Sequence, residues 1–304
     1  MMGQVQSRGH RKHIDQLPND FPDLRELPPE VAIAILAKLN ATDLCLAACV
    51  WEDLAEDDIL WKRLCYEKWG YVTAYRKLSI RSSIKVMTFK QLFLLLDEAT
   101  LHFSYEPHQA IQYLIDNEVL DDNPVEIAQM FNNTKELYSN SMHTFLNERH
   151  DVLDELVHFQ DYTNLFLSDA MRQFFKKIPP PKQRGEYFEM LMEKFSSWYF
   201  ECNQNSGLSK DGISVLAYSL LLLSVDLYSP HVKNKMSKRE FIRNSRQIVA
   251  DFNREQLSDL YDDVYLNGHI AGMPMKMNMK LRQPFRPYGV LFELKSWNVQ
   301  SCCQ

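Results

Sequence analysis

The stretch Leu216-Ala217-Tyr218-Ser219-Leu220-Leu221-Leu222-Leu223-Ser224-Val225-Asp226-Leu227 constrains the fold more than any other part of the chain. A run that is apolar on nearly every side reads as a helix surrounded by other elements. It is shorter than the roughly 20 apolar residues needed to span a bilayer, which makes it a core helix of a globular domain. Ser229-Pro230 ends it, because proline cannot continue a helix. The polar segment Lys233-Asn234-Lys235-Met236 then turns the chain into a second helix. By pattern alone, Asp226 at the junction is a cap or turn residue.

Helical neighbours are what the remainder supplies. Only 9 glycines and 13 scattered prolines interrupt 304 residues, and period-2 alternation is rare, so the fold class is all-α. The net charge of -6 argues against a nucleic-acid binder, which would carry a basic face. Cysteines at 45, 49, 65, 202, 302 and 303 include no Cys-x-x-Cys pair, so neither a zinc site nor a disulfide framework is expected. No metal and no cofactor is expected, and a reducing cytoplasmic setting fits. Cys45 and Cys49 share a helix face and are expected as small core residues. No phosphate loop, His-Glu-x-x-His motif or nucleophile elbow occurs, and Arg149-His150-Asp151 reads as a helix end.

Residues 1–20 are polar and expected to be disordered; Met2-Gly3 with Ser7 would match an acylation pattern only if translation began at Met2. Order is expected from Leu24. Pro28-Pro29-Glu30 suits a helix entrance, followed by Val31, Ile35 and Leu39 at helical spacing with Ile33 and Leu36 widening the stripe. Thr42 is a candidate cap for a second helix carrying Leu44, and Asp57 or Asp58 for a third carrying Leu60, Trp61 and Leu64. So small a three-helix unit buries little surface alone and predicts a partner. Leu27-Pro28-Pro29-Glu30, Ile35-Leu36, Leu39, Asp43-Leu44 and Leu60-Trp61 resemble the F-box pattern. The resemblance covers residues 21–70 and implies docking on the adaptor Skp1 of a cullin ubiquitin ligase. Leu27, Pro28, Ile35, Leu36, Leu39, Leu44 and Trp61 would carry that contact.

Residues 71–102 read as a bridge, basic at Arg76, Lys77, Arg81, Lys85 and Lys90, with a helix over 89–96. The region 103–270 resembles a Sec7 domain, a right-handed helical superhelix acting on Arf-family GTPases. The match rests on Leu216-Ala217-Tyr218-Ser219, Asp226-Leu227, Val232-Lys233-Asn234-Lys235-Met236, Asn123-Pro124, Phe145-Leu146-Asn147-Glu148 and Phe241-Ile242-Arg243-Asn244. It implies an Arf-binding groove using Tyr218, Leu222, Ser224, Asp226, Met236 and Phe241. Asp226 is expected to order the turn after its helix more than to touch nucleotide. Ser224 stands where the family has an asparagine, and a hydroxyl has fewer hydrogen-bonding groups than an amide.

Active Sec7 domains present a glutamate finger that repels the nucleotide β-phosphate, a charge effect of roughly 4 kcal/mol at ~4 Å. Counting back from Leu191-Met192-Glu193-Lys194-Phe195 without gaps places Arg184 at that position. A guanidinium attracts phosphate where a carboxylate expels it. Glu186 would serve only as a finger displaced by two residues, about 200° around a helix. The resemblances together imply a ubiquitin-ligase substrate receptor whose Sec7 domain binds and regulates Arf; the alternative is an Arf exchange factor using Glu186. Membrane contact is expected to be peripheral and indirect. Residues 271–304, with Pro274 and alternating methionines, are expected as an irregular tail.

Overall fold

The structure, a computed structural model, describes residues 23–80, 87–134, 137–181, 185–230, 232–246 and 252–271. The expected disordered N-terminus, Arg81 and Lys85 of the bridge, and the tail from residue 272 lie outside the described residues. Every regular element described is a helix. The described residues divide into two compact units, those of 23–70 with 78–94, and those of 71–77 with 95–271.

In the first unit, α1 (Pro29–Leu36), α2 (Ala41–Ala48) and α4 (Asp58–Trp69) are the three helices the sequence predicts, with one turn, α3 (Glu52–Ala55), between the last two. Pro29 occupies the first position of α1, where its missing N–H costs nothing. Asp57 caps α4 by accepting from Ile59 N. The cap of α2 is Asn40, which accepts from Asp43 N, and Thr42 sits inside the helix; an Asn side chain one residue before the helix reaches the free N–H groups that a residue already in the first turn cannot. Leu36, Leu44, Leu60, Trp61 and Trp69 are buried. The Trp61 indole donates to Ala55 O at 2.9 Å and meets the edge of Phe93 at 5.7 Å. Cys45 and Cys49 are exposed, contrary to expectation, because α2 turns Leu44 inward and leaves their face uncovered. Cys65 is the core thiol, and burial pushes its pKa up to about 12.

Two helices follow: α5 (Thr73–Ser79) and α6 (Phe89–Phe103), the latter running seven residues beyond the expected 89–96. Then come α7 (Pro107–Asp116), α8 (Pro124–Asn133), α9 (Ser139–Glu148), α10 (His150–His158), α11 (Leu167–Lys177), α12 (Glu186–Cys202), α13 (Lys210–Tyr228), α14 (Lys238–Arg246) and α15 (Arg254–Asn267). Asn123 caps α8 ahead of Pro124, Ser209 caps α13, and Asn253 forms a reciprocal capping box with Gln256 on α15. Each helix packs mainly on near neighbours in sequence: α8 on α10, α10 on α12, α12 on α13, and α13 on α14 and α15. Such near-neighbour stacking is the habit of helical solenoids. Phe131 meets Phe103 and Phe145 edge to face early in the series, and Phe195 packs on Tyr162 and Phe174 further along. Arg149, between α9 and α10, forks to Asp122 at 3.0 Å and Asp151 at 2.9 Å, so Arg149-His150-Asp151 is a helix junction.

The Leu-rich run lies in α13, whose 19 residues are long and apolar enough by length and composition to cross a membrane, against the sequence expectation that the run is too short. The added length comes from the residues ahead of the run, Lys210–Val215, which begin with a capped first turn. Its packing is that of a core helix, with Ile213, Leu216, Ala217, Leu220, Leu221 and Leu223 buried among α11, α12 and α15.

Candidate functional site

Two surfaces gather the residues singled out in the sequence, one in each unit. On the first unit, Val31 and Ile35 of α1 are each 45% exposed, although both belong to an apolar stripe. Leu46 and Val50, one turn apart at the end of α2, and Ile59 at the start of α4 are more exposed still. Pro28 is exposed, and Leu27 and Leu39 are half-buried. Leu36, Leu44 and Trp61 point into the core, at 1–2% exposure, so as direct partner contacts they are corrected: they support the face from beneath because their rings and methyls fill the space between the helices. Sequence reasoning missed Leu46, Val50 and Ile59. Their signal is a surplus of apolar residues on short helices, which widens a helix stripe past what a single core can cover.

The second surface is built on α13 and the turn that follows. Tyr218, Leu222 and Asp226 recur every four residues and are all half-exposed, so one stripe of an otherwise buried helix faces outward. Tyr218 meets the buried ring of Phe188 on α12 edge-on at 5.9 Å. Asp226 accepts from Met236 N at 2.6 Å, and Lys235 Nζ donates to Asp226 O at 2.8 Å. Tyr261 on α15 donates to Met236 O at 2.8 Å. These bonds pin Met236, half-exposed, beside the end of the stripe. Ser237 then opens α14, its N–H and hydroxyl donating to Glu240 and holding that carboxyl below its usual range.

Two residues expected in this groove are not on its surface. Phe241 is fully buried, as the inward anchor of α14, ring to ring with Tyr261 at 5.9 Å. Ser224 is 2% exposed and faces the segment after α15. Its Oγ accepts from Ile270 N at 3.1 Å and lies 3.1 Å from His269 Nδ1. Gly268 makes this return possible, because its φ of 87° is open to glycine at little steric cost. Half a helical turn from Leu222 and Asp226, residue 224 belongs to the core side; only its register on α13 could have told the two faces apart.

Glu186 is exposed at the first position of α12, where a carboxylate complements the helix dipole. Arg184, with Lys182 and Gln183, lies outside the described residues. The neighbouring Pro179 carbonyl contacts His143 Nε2, and the ring of His143 lies 5.6 Å from that of Tyr187. Burial raises the Tyr187 phenol pKa. No group of three or more side chains able to hold a metal ion occurs among the described residues.

A Sec7 domain family model matches residues 94–268, and an F-box-like model matches residues 24–67. The chain is similar to F-box only protein 8 of Bos taurus, at 46% identity over 280 residues that span 86% of each protein. It is also similar to human brefeldin A-inhibited guanine nucleotide-exchange protein 1, at 35% identity over 170 residues, 53% of this chain and 9% of that protein. A solved Sec7 domain bound to ARF1-GDP and complexed with brefeldin A matches with a TM-score of 0.54 at 25% identity, covering 60% of this chain and 95% of that one.

Proposed function

The chain belongs to the Sec7 domain family and carries an F-box-like module ahead of that domain, and from this we propose that it is a substrate-receptor subunit of a Skp1–cullin–F-box ubiquitin ligase whose Sec7 domain binds and regulates Arf-family GTPases. The observation that carries the reading is the union of the two modules in one chain, 86% of which is matched by F-box only protein 8 of Bos taurus. The exposed apolar side chains of the first unit support an adaptor contact of the helix-in-groove kind, with Ile35 and Val31 as anchors beside Leu27, Pro28 and Leu39. Tyr218, Leu222 and Met236 would meet the GTPase, with Asp226 fixing the turn that presents Met236. The cullin joins through Skp1. Nucleic acid is no part of the reading, which the net charge of -6 supports. A cytoplasmic location belongs to the same proposal and is supported by the free thiols of Cys45, Cys49, Cys65 and Cys202.

The 35% identity to an exchange protein favours a second reading, catalysis of GDP release from Arf. Arg184 at the finger position weighs against it, because its charge is opposite to the one required.

The test is capture of purified Skp1 and of Arf, nucleotide-free or GDP-bound, by the full chain, with GDP release measured in parallel. Both partners are expected to bind. Ile35→Asp should weaken Skp1 capture by at least about tenfold, since a few buried anchors dominate such interfaces. Tyr218→Ala should weaken Arf capture and leave Skp1 untouched. GDP release should be slow and should rise with Arg184→Glu. Fast release abolished by Glu186→Lys establishes the exchange reading instead, and failure to capture Arf in either form removes the Arf role.

A further inference from the structure

The chain carries a net charge of -6, yet Val232–Arg246 holds six cationic side chains and one carboxylate, Glu240, a local charge of +5. Part of this charge is used internally. Lys235 binds the carbonyls of Asp226 and Ser229, and Lys238 pairs with Asp262 on α15. Of the four that remain, Lys233 is exposed in the turn and the other three lie on α14. Arg239, Arg243 and Arg246 are all exposed, at spacings of four and three residues, so they share one face over about 10 Å of helix. Among the described residues no hydrogen bond or ion pair engages their guanidinium groups; Arg243 acts only through its field on Glu240. The opposite face holds Phe241 and Ser245, both buried, which fixes α14 in orientation and commits the arginines to solvent.

We propose that this face of α14 is an electrostatic contact for an anionic lipid surface. A structured protein partner would need apolar anchors in desolvated pockets. No large apolar side chain is exposed on α14 among the described residues. A lipid surface needs only charge: an anionic leaflet attracts basic residues close to it, and guanidinium pairs with phosphate in bidentate fashion. Three arginines in line present that charge along a straight edge. The inference rests on the geometry of α14 alone and stands or falls separately from the ubiquitin-ligase and Arf readings.

The experiment is co-sedimentation of the full chain with vesicles of pure phosphatidylcholine and with vesicles containing about 30% phosphatidylserine, at low and at about 0.5 M salt. Binding is expected only to the anionic vesicles and should fall steeply with salt. Arg239→Glu with Arg243→Glu should reduce it at least tenfold, while Arg239→Lys with Arg243→Lys, which keeps the charge, should retain most of it. Circular dichroism melting of each variant separates a lost contact from a lost fold, and single Arg239→Glu, at the exposed start of the helix, provides a milder version of the same test. Equal binding to neutral vesicles overturns the proposal. So does binding that survives both Glu substitutions but disappears when residues 272–304 are removed, and so does capture of an acidic peptide by a chain that sediments with no vesicle.

Discussion

Arg172 and Asp263 show how one ion pair holds distant parts of the second unit in register. The Arg172 guanidinium donates to Asp263 Oδ2 at 2.7 Å and to Asp169 at 2.9 Å, and it approaches Gly268 O at 3.4 Å. With side chains only 19% and 12% exposed, the Arg172–Asp263 pair ties α11 to α15 and to the turn carrying His269 and Ile270. Burial works against ionisation of Asp263, but its hydrogen bonds, those from Arg172 and Asn267 among them, and the charge of Arg172 outweigh it and leave the carboxyl below its ordinary value. A carboxyl depressed in the folded state contributes stability above its unfolded pKa of 3.8, and the contribution disappears as pH falls through the lower folded value. Asp263→Ala should therefore destabilise the full chain at pH 7 by about 3 kcal/mol, because it leaves a largely buried guanidinium with only the more exposed Asp169 as its carboxylate partner. The difference between wild type and variant should shrink as urea unfolding is repeated toward pH 3. A constant difference across that range would place the loss in packing and not in charge.

At the scale of elements, much of the helix pattern was legible from spacing and punctuation. Pro29, Pro124 and Pro230 mark two starts and an end, and the stripe Val31, Ile35, Leu39 identifies α1. What spacing could not reveal is which face of α13 looks outward, since apolar residues occur on every side of it. Tyr218, Leu222 and Asp226 occupy the outward stripe and Ser224 the inward one, a distinction set by α15 and the chain that returns past Gly268. The same limit hid the exposure of Cys45 and Cys49, which share a face that α2 leaves uncovered. The position of Ser224 carries a consequence. Asparagine there, as in the family pattern, would have to fit a bulkier amide into a site already filled by Ile270 N and His269. Ser224→Asn should cost about 1–3 kcal/mol by overpacking, and Ser224→Ala about 1–2 by leaving Ile270 N without its acceptor. Both belong to thermal unfolding, with Arf capture unchanged in whatever fraction remains folded. A gain in stability with asparagine would mean that the segment after α15 moves aside readily.

At the scale of the molecule, each unit has a core of its own. Trp61, Leu36, Leu44 and Trp69 close the first, and the phenylalanine clusters with α13 close the second. The sequence showed both modules by their motifs, because those fix residue identity at many positions; the exposed arginines of α14 stood in the same sequence but needed the fold to place them on one face. Separate cores imply separable losses. Trp61→Ala removes a side chain that is 1% exposed, along with its hydrogen bond to Ala55 O and its contact with Phe93. A cavity of that size costs about 3–5 kcal/mol, a large part of what so small a unit has, so adaptor capture should collapse. Arf capture should persist in the same preparation, and hydrogen exchange should show protection lost through α1–α4 but retained in α10, α12 and α13. Loss of protection in both units from this one substitution would show that they unfold together, and would make the F-box-like module part of the stability of the Sec7 domain.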